Sequence, residues 1–176
     1  NNLQRSITGW PGGKPKADDK FRPERALPEK KRVIIFSPHP DDDVISMGGT
    51  FDRLVSQGHE VHVAYQTSGN IAVSDQDAKR FLEVTQDIVK SDQNKYIEKL
   101  NQEFRNINPN HPTPAGIRDL KGSIRKGESL GATRYLGISD DQVHFMKLPF
   151  YETGLIIKNP VTQKDIDSTI ALIDKL

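Results

Sequence analysis

A strand-like apolar run, followed at once by a histidine and three acidic residues, constrains the fold of this chain more than any other feature. In residues 32–36 (Arg-Val-Ile-Ile-Phe), the run from Val33 onward has the continuous apolar character of a strand buried in a parallel sheet. Residues 39–43 (His-Pro-Asp-Asp-Asp) come directly after it. Open α/β sheets bind their ligands at the carboxyl ends of their strands. The sequence therefore predicts an α/β fold with a polar site at the end of the first strand.

The residue types in the segment 39–43 suit a divalent metal. A neutral imidazole and a carboxylate are ordinary ligands of a borderline ion such as zinc. A further carboxylate beside them can take a proton from a metal-bound water. Three adjacent carboxylates repel one another unless a cation or the start of a helix offsets the repulsion. Both are expected here, because the pattern that follows is helical.

Composition narrows the classes of protein that this chain can belong to. Its 176 residues suffice for one domain with a hydrophobic core, and its net charge of +1 argues against a nucleic-acid partner. It has no cysteine, so a metal must use His, Asp, Glu and water. No apolar run approaches the length of a membrane span. No signal peptide is recognised, which favours a cytoplasmic location, and the first residue, Asn1, indicates that the natural N-terminus lies upstream.

The order of patterns along the chain predicts two parts. Residues 1–30, with four prolines and three glycines, are expected to form a linker or extended arm, and residues 31–176 an α/β domain. In that domain we predict strands at 33–37, 60–66 and 143–148. Helices are predicted at 43–57 (closed by Gly58), 74–106 as a hairpin, 117–130 (ended by Gly131) and 165–176. A final amphipathic helix usually leads into another strand, so we expect the sheet to be incomplete at the C-terminus.

The segment 39–43, with Gly48-Gly49-Thr50 after it, resembles the signature of the PIG-L/LmbE-like de-N-acetylase family. That signature is an apolar strand, then His-Pro-Asp-Asp-Glu, then a helix with small residues. Residues 125–128, 130–131 and 148–149 are also similar, so the resemblance runs from about residue 31 to 149. It implies a Rossmann-like three-layer fold with a mostly parallel sheet. It also implies a bacterial zinc-dependent hydrolase that removes an acetyl group from an N-acetylglucosamine-type amino sugar.

The resemblance assigns roles to the residues of the segment. His39 and Asp42 take the positions of ligands to Zn²⁺, and Asp41 takes that of the catalytic general base. The family's glutamate is replaced by Asp43, which keeps the carboxylate but shortens it. The family's third ligand, a histidine in a His-rich motif after a later strand, has no counterpart in this chain. By position we expect it beyond residue 176.

Other residues are candidates for substrate binding or for purely structural roles. Gly48-Gly49 suits either a close approach of substrate or tight packing of helix on sheet. The turn at 67–70 lies at the same predicted sheet edge as the segment 39–43. Helical spacing favours solvent for Lys121, Arg125 and Lys126, with a sugar phosphate as the alternative. The substrate-binding candidates are Asp43, Gly48, Gly49, Asn70 and Arg118.

A narrower resemblance concerns domain organisation. Residues 7–15 followed by 36–40 look like the C-terminal portion of bacterial glucosamine-6-phosphate deaminase-like proteins, in which a deaminase-type domain is fused to a de-N-acetylase-like domain. This leaves an alternative function open, namely a non-catalytic binding or regulatory module of such a fusion. The expected protein partner is either the fused deaminase-like domain or a second copy of the chain in a homo-oligomer. A dinucleotide-binding domain is disfavoured, because no Gly-x-Gly-x-x-Gly follows the first strand.

Overall fold

Three parallel strands form an open sheet in the computed structural model, which describes residues 30–89, 95–108, 110–148 and 160–176. The strands are β1 (Arg32–Ser37), β2 (Glu60–Tyr65) and β3 (Val143–Phe145), in the order β1-β2-β3. Val63 of β2 lies opposite Ile35 of β1 and Val143 of β3. The predicted α/β fold with a parallel sheet is confirmed. Apart from residue 30, the predicted linker lies outside the described residues.

Helices connect and follow these strands. They are α1 (Asp42–Ile45), α2 (Gly48–Ser56), α3 (Asp75–Val89), α4 (Lys95–Arg105), α5 (Ala115–Tyr135) and α6 (Gln163–Lys175), with short 3₁₀ turns at Asn70–Ala72 and Asp140–Gln142. No helix among the described residues is both long enough and apolar enough to cross a membrane.

Three predicted boundaries were wrong for identifiable reasons. The helix predicted at 43–57 is divided into α1 and α2, because Met47 has a non-helical backbone (φ −145°, ψ 21°). The helix predicted to end at Gly131 continues to Tyr135, and the left-handed residue that follows it is Gly137 (φ 83°). The third strand stops at Phe145 because Lys147 has a left-handed backbone (φ 52°). By contrast, Gly58 closes α2 with φ 75° as predicted.

The main hydrophobic core lies on one face of the sheet. Parallel pairing in this register places the odd-numbered residues of all three strands on that face. They pack against Phe51 and Leu54 of α2 and against Leu130 of α5. The hairpin of α3 and α4 packs on α5 through a second apolar cluster. Helix α5 therefore lies between the sheet and the hairpin, which fixes its position relative to the carboxyl ends of the strands.

Candidate active site

The histidine and one carboxylate of the segment 39–43 point toward each other. His39 lies in the loop after β1, and Asp42 is the first residue of α1. The Nδ1 atom of His39 is 3.1 Å from Oδ2 of Asp42, and the backbone N–H of His39 donates to the same oxygen at 3.0 Å. Both side chains remain more than one-third exposed. The two predicted metal ligands are therefore adjacent and accessible from solvent.

This pair has the chemistry and spacing of two ligands to one zinc ion. Nitrogen and oxygen donors about 2.0–2.1 Å from a tetrahedral zinc lie about 3.3 Å from each other, close to the 3.1 Å observed. A catalytic zinc normally has three protein ligands. Within the described residues, no group of three His, Cys, Asp or Glu side chains is placed to hold a metal. The pair thus fits zinc as part of a ligand set whose third member is not among these residues.

A basic residue of α5 fixes the side chain of Asp41. Arg125 Nη2 donates to Oδ2 of Asp41 at 2.7 Å and also to the carbonyl oxygen of Pro40. Its Nη1 donates to Oε2 of Glu128 at 2.5 Å. The Arg125 side chain is 14% exposed, whereas those of Asp41 and Glu128 are 44% and 54% exposed, so the guanidinium is largely buried and its two carboxylate partners face solvent. Arg125 therefore holds the carboxylate of Asp41 beside His39, across 84 residues of sequence.

Asp41 also has an unusual backbone. Its φ of 115° lies in the region that L-residues rarely adopt, which costs about 1–3 kcal/mol. Such conformations persist where surrounding bonds enforce them, and they cluster at functional sites. Here the ion pair with Arg125 and the start of α1 hold Asp41 in place. The backbone thus supports the same site as the side chains.

A cavity of about 400 Å³ opens beside these residues, and we call it the motif pocket. Its lining includes His39, Asp41 and Arg125, together with the loop that follows β2. Asn70 lies in that loop, at the start of a 3₁₀ turn, and is 5% exposed to solvent. The motif pocket is lined by His39, Asp41, Thr67, Ser68, Gly69, Asn70, Ile71, Ala72 and Arg125. The structure therefore brings Asn70 together with His39 and Asp41.

Gly69 allows the loop after β2 to approach the segment 39–43. Its φ is 65°, and a Cβ atom there would lie 2.7 Å from Cδ of Pro40, which is closer than real Cβ contacts come. We therefore expect Gly69→Ala to lower the free energy of unfolding by about 1–3 kcal/mol, through left-handed strain and this clash. Urea denaturation measures the change. Gly131→Ala is the control, because a Cβ there meets nothing within 4 Å. Equal stability of the two variants would contradict the close approach.

Asp43 lies beneath the site and does not line the motif pocket. It is 1% exposed, and its Oδ2 accepts a hydrogen bond from the hydroxyl of Tyr65 at 2.8 Å. Its backbone N–H donates to Oγ of Ser37 at 3.0 Å. Burial, and then the hydrogen bond to Asp43, raise the pKa of Tyr65 well above its usual value, so the phenol stays a donor. The geometry gives Asp43 a supporting position under the site, in place of the predicted substrate contact.

The remaining candidates lie outside the motif pocket. Gly48 and Gly49 open α2, and the space around them does not indicate tight packing of helix on sheet, so a close approach of substrate stays a prediction. A Cβ on Gly48 would be 3.8 Å from Val44, an ordinary contact, and one on Gly49 would meet nothing within 4 Å. Arg118 lies on α5 at a neighbouring cavity and donates from Nη1 to the carbonyl oxygen of Thr113 at 2.9 Å.

Two basic residues of α5 depart from the expectation that they face solvent. Lys121 is 8% exposed and pairs with Asp75 at 2.6 Å, while Arg125 is bound to Asp41. The resemblance at residues 125–128 was the one sequence signal that marked Arg125. Helical spacing could not reveal its role, because the residue that it meets belongs to another part of the chain.

The fold and site together define a class of protein. It is an α/β protein with an imidazole–carboxylate pair, a fixed second carboxylate and a pocket at the carboxyl ends of parallel strands. The PIG-L family, described as GlcNAc-PI de-N-acetylase, matches residues 34–174. The chain belongs to this family.

Two curated relatives add to this finding. The chain is similar to a putative glucosamine-6-phosphate deaminase-like protein of Bacteroides thetaiotaomicron, with 52% identity over 95% of this chain and 26% of that protein. It is also similar to a diacetylchitobiose deacetylase of Thermococcus kodakarensis, with 33% identity over 31% of this chain and 21% of that protein. The chain thus spans about a quarter of the length of these relatives. No solved structure matches it significantly.

Proposed function

We propose that this chain carries the active site of a zinc-dependent hydrolase, which removes an acetyl group from an N-acetylglucosamine-type amino sugar. The observation that supports this most strongly is the convergence of His39, Asp42 and Asp41 at the end of β1. Membership of a family described as GlcNAc-PI de-N-acetylase, and similarity to a diacetylchitobiose deacetylase, support the same reaction. A cavity of about 400 Å³ is of the size that small-molecule sites have.

In this proposal, His39 and Asp42 hold the zinc ion. A zinc ion held there would supply Lewis acidity, which would lower the pKa of the attacking water and polarise the acetyl carbonyl. Asp41 accepts a proton from the water while the oxygen of the water attacks the carbonyl carbon. Arg125 keeps the carboxylate of Asp41 in position for this proton transfer. The C–N bond then breaks, and the proton is delivered to the leaving nitrogen. Water and amide are thus converted to acetate and a free amino sugar.

A third zinc ligand would come from outside the described residues. The sequence predicts that it is a histidine, by analogy with the family. Of the histidines in the sheet, His62 and His144 contact each other, with Nδ1 of His62 3.2 Å from Nε2 of His144. They lie on even-numbered strand positions, on the sheet face opposite Tyr65. Neither lines the motif pocket, so neither is our candidate.

The second candidate function is a non-catalytic binding or regulatory module of a longer protein. Two observations favour it: no three-ligand group is found in the described residues, and the Bacteroides relative is named deaminase-like. In that case a fused deaminase-like domain would carry the chemistry, and the motif pocket would bind an amino sugar without cleaving it. Zinc content and acetate release separate the two candidates.

The test of the proposed function is acetate release by the natural full-length protein. We expect release from N-acetylglucosamine or its derivatives, loss on treatment with a chelator, and recovery when zinc is restored. Diacetylchitobiose and N-acetylglucosamine 6-phosphate extend the substrate panel. Retention of full activity after complete removal of metal would contradict the proposed role of zinc. Binding of the sugar without acetate release would favour the second candidate.

A further inference from the structure

A second cavity, of about 450 Å³, adjoins the motif pocket, and we call it the basic cavity. Thr67 and Ser68 line both cavities, so the two share a wall formed by the loop after β2. Of the residues that the structure describes, three with basic side chains line the basic cavity, whereas one, Arg125, lines the motif pocket. They are Arg118, Lys126 and Lys147.

The charge balance of the basic cavity distinguishes it from the surface nearby. Among the described residues, Asp119 is the single acidic residue that lines it, which leaves these lining residues with an excess of two positive charges. None of the three basic residues forms an ion pair with another described residue. Neighbouring Lys121 and Arg125 on the same helix are both paired. Cations that cluster without a carboxylate partner attract anions, so this cavity is suited to an anionic ligand.

Two of the cations are aligned along α5. Arg118 and Lys126 are eight residues apart, which is about 12 Å along the helix axis and about 80° around it. Gly122 lies midway between them, and a Cβ there would be only 3.2 Å from Cβ of Ser68. The glycine therefore lets the loop after β2 approach the helix between the two positive charges. The result is a groove that has a cation on each side and adjoins the motif pocket.

Each cation is held in a way that leaves donors for a ligand. Arg118 uses Nη1 for the carbonyl oxygen of Thr113, and a guanidinium has four further N–H groups. The Nζ atom of Lys126 lies 5.1 Å from the centre of the Phe145 ring, which also lines the cavity. Lys147 has φ 52°, an uncommon backbone for a lysine, at the carboxyl end of β3. The three side chains reach the cavity from two different elements.

We propose that the basic cavity is a phosphate subsite, and that the ligand of the motif pocket is a phosphorylated N-acetylamino sugar. The second half of this proposal rests on the proposed function; the first half does not. The amide would lie against His39 and Asp41, and the phosphate against Arg118, Lys126 and Lys147. Thr67 and Ser68 border both cavities, so in this proposal the ligand would span these two residues.

The first experiment measures binding of inorganic phosphate to the natural full-length protein by isothermal titration calorimetry. We expect Lys126→Gln and Lys147→Asn each to weaken binding about tenfold, because each removes a charge-assisted contact. Asparagine tolerates the left-handed backbone at position 147. Lys164→Gln is the matched control, since Lys164 is exposed on α6 and far along the chain from the cavity residues. Absent binding, or equal weakening in all three variants, would overturn the subsite.

The second experiment compares kcat/KM for N-acetylglucosamine 6-phosphate and N-acetylglucosamine. We expect the wild type to prefer the phosphorylated sugar at least tenfold, Lys126→Gln to reduce that ratio, and the control Lys164→Gln to leave both the ratio and the turnover of the plain sugar unchanged. Equal kcat/KM for the two sugars would overturn the assignment of substrate. If phosphate binds at this cavity but no sugar is deacetylated, the subsite stands and the proposed hydrolase function fails.

Discussion

Asp41→Asn should lower kcat for deacetylation about 100- to 10 000-fold, which is the usual contribution of a general base. Asparagine has the size of aspartate, tolerates left-handed backbone conformations and can still accept a hydrogen bond from Arg125. It cannot accept the proton of the attacking water. The loss should therefore appear in kcat, with little change in zinc content or in the far-UV circular dichroism spectrum.

Asp52→Asn is the matched control for this experiment. Asp52 is exposed on α2, and the change removes the same charge without touching the motif pocket. We expect its kcat to stay within about twofold of the wild type, as for most surface substitutions. If kcat of Asp41→Asn also stays within that range, Asp41 is not the base.

Tyr65→Phe should lower the free energy of unfolding by about 1–3 kcal/mol, the cost of leaving a buried polar group without its partner. The lost hydroxyl donates to Asp43, whose carboxylate is 1% exposed. The remaining bond from Ser37 to Oδ1 of Asp43 is long, at 3.3 Å. Urea denaturation at pH 8 measures the effect. Tyr135→Phe is the control, because Tyr135 is 91% exposed, and equal stability of the two variants would contradict a supporting role for Tyr65.

The same pair predicts how stability changes at alkaline pH. Burial, and then the hydrogen bond to Asp43, raise the pKa of Tyr65, so the folded state retains a proton that the unfolded state loses near pH 10. The stabilisation of the folded state that comes from this raised pKa is fully present below pH 10 and is lost as the pH rises above 10. Between pH 9 and 11 we expect the free energy of unfolding to fall more steeply for the wild type than for Tyr65→Phe. If the free energy of unfolding falls equally steeply with pH in both proteins, the raised pKa of Tyr65 is contradicted.

The sequence was sufficient to predict those parts of the fold and of the site that local patterns determine. A continuous apolar run followed by polar residues identified β1 and its carboxyl end, and parallel pairing then placed the loop after β2 at the same edge. The convergence of His39 and Asp42 is also local, because the two residues are three apart at the start of α1. For this reason the pair was predictable without knowledge of the rest of the fold.

What the sequence could not supply depends on contacts between distant residues. The partner of Asp41 is Arg125, on a helix that the second apolar cluster positions, and no period in α5 reveals that contact. The burial of Asp43 depends on Tyr65 in the next strand, so a carboxylate that looks like a substrate contact in sequence becomes a supporting residue. The division of the first helix follows from the backbone at Met47, which its amphipathic pattern does not predict.

Zinc content, measured by mass spectrometry on the natural full-length protein, is the most direct test of the central proposal that His39 and Asp42 hold a catalytic metal. The variants His39→Ala and Asp42→Ala are compared with the control Asp52→Asn. The control removes one carboxylate charge, as Asp42→Ala does, but leaves the proposed metal site unaltered. We expect about one zinc per chain in the wild type and the control, and a large loss in both alanine variants, because a site with three protein ligands would then retain only two. Equal zinc content in all four proteins, whether about one zinc per chain or near zero, would contradict the proposal that His39 and Asp42 hold a catalytic metal.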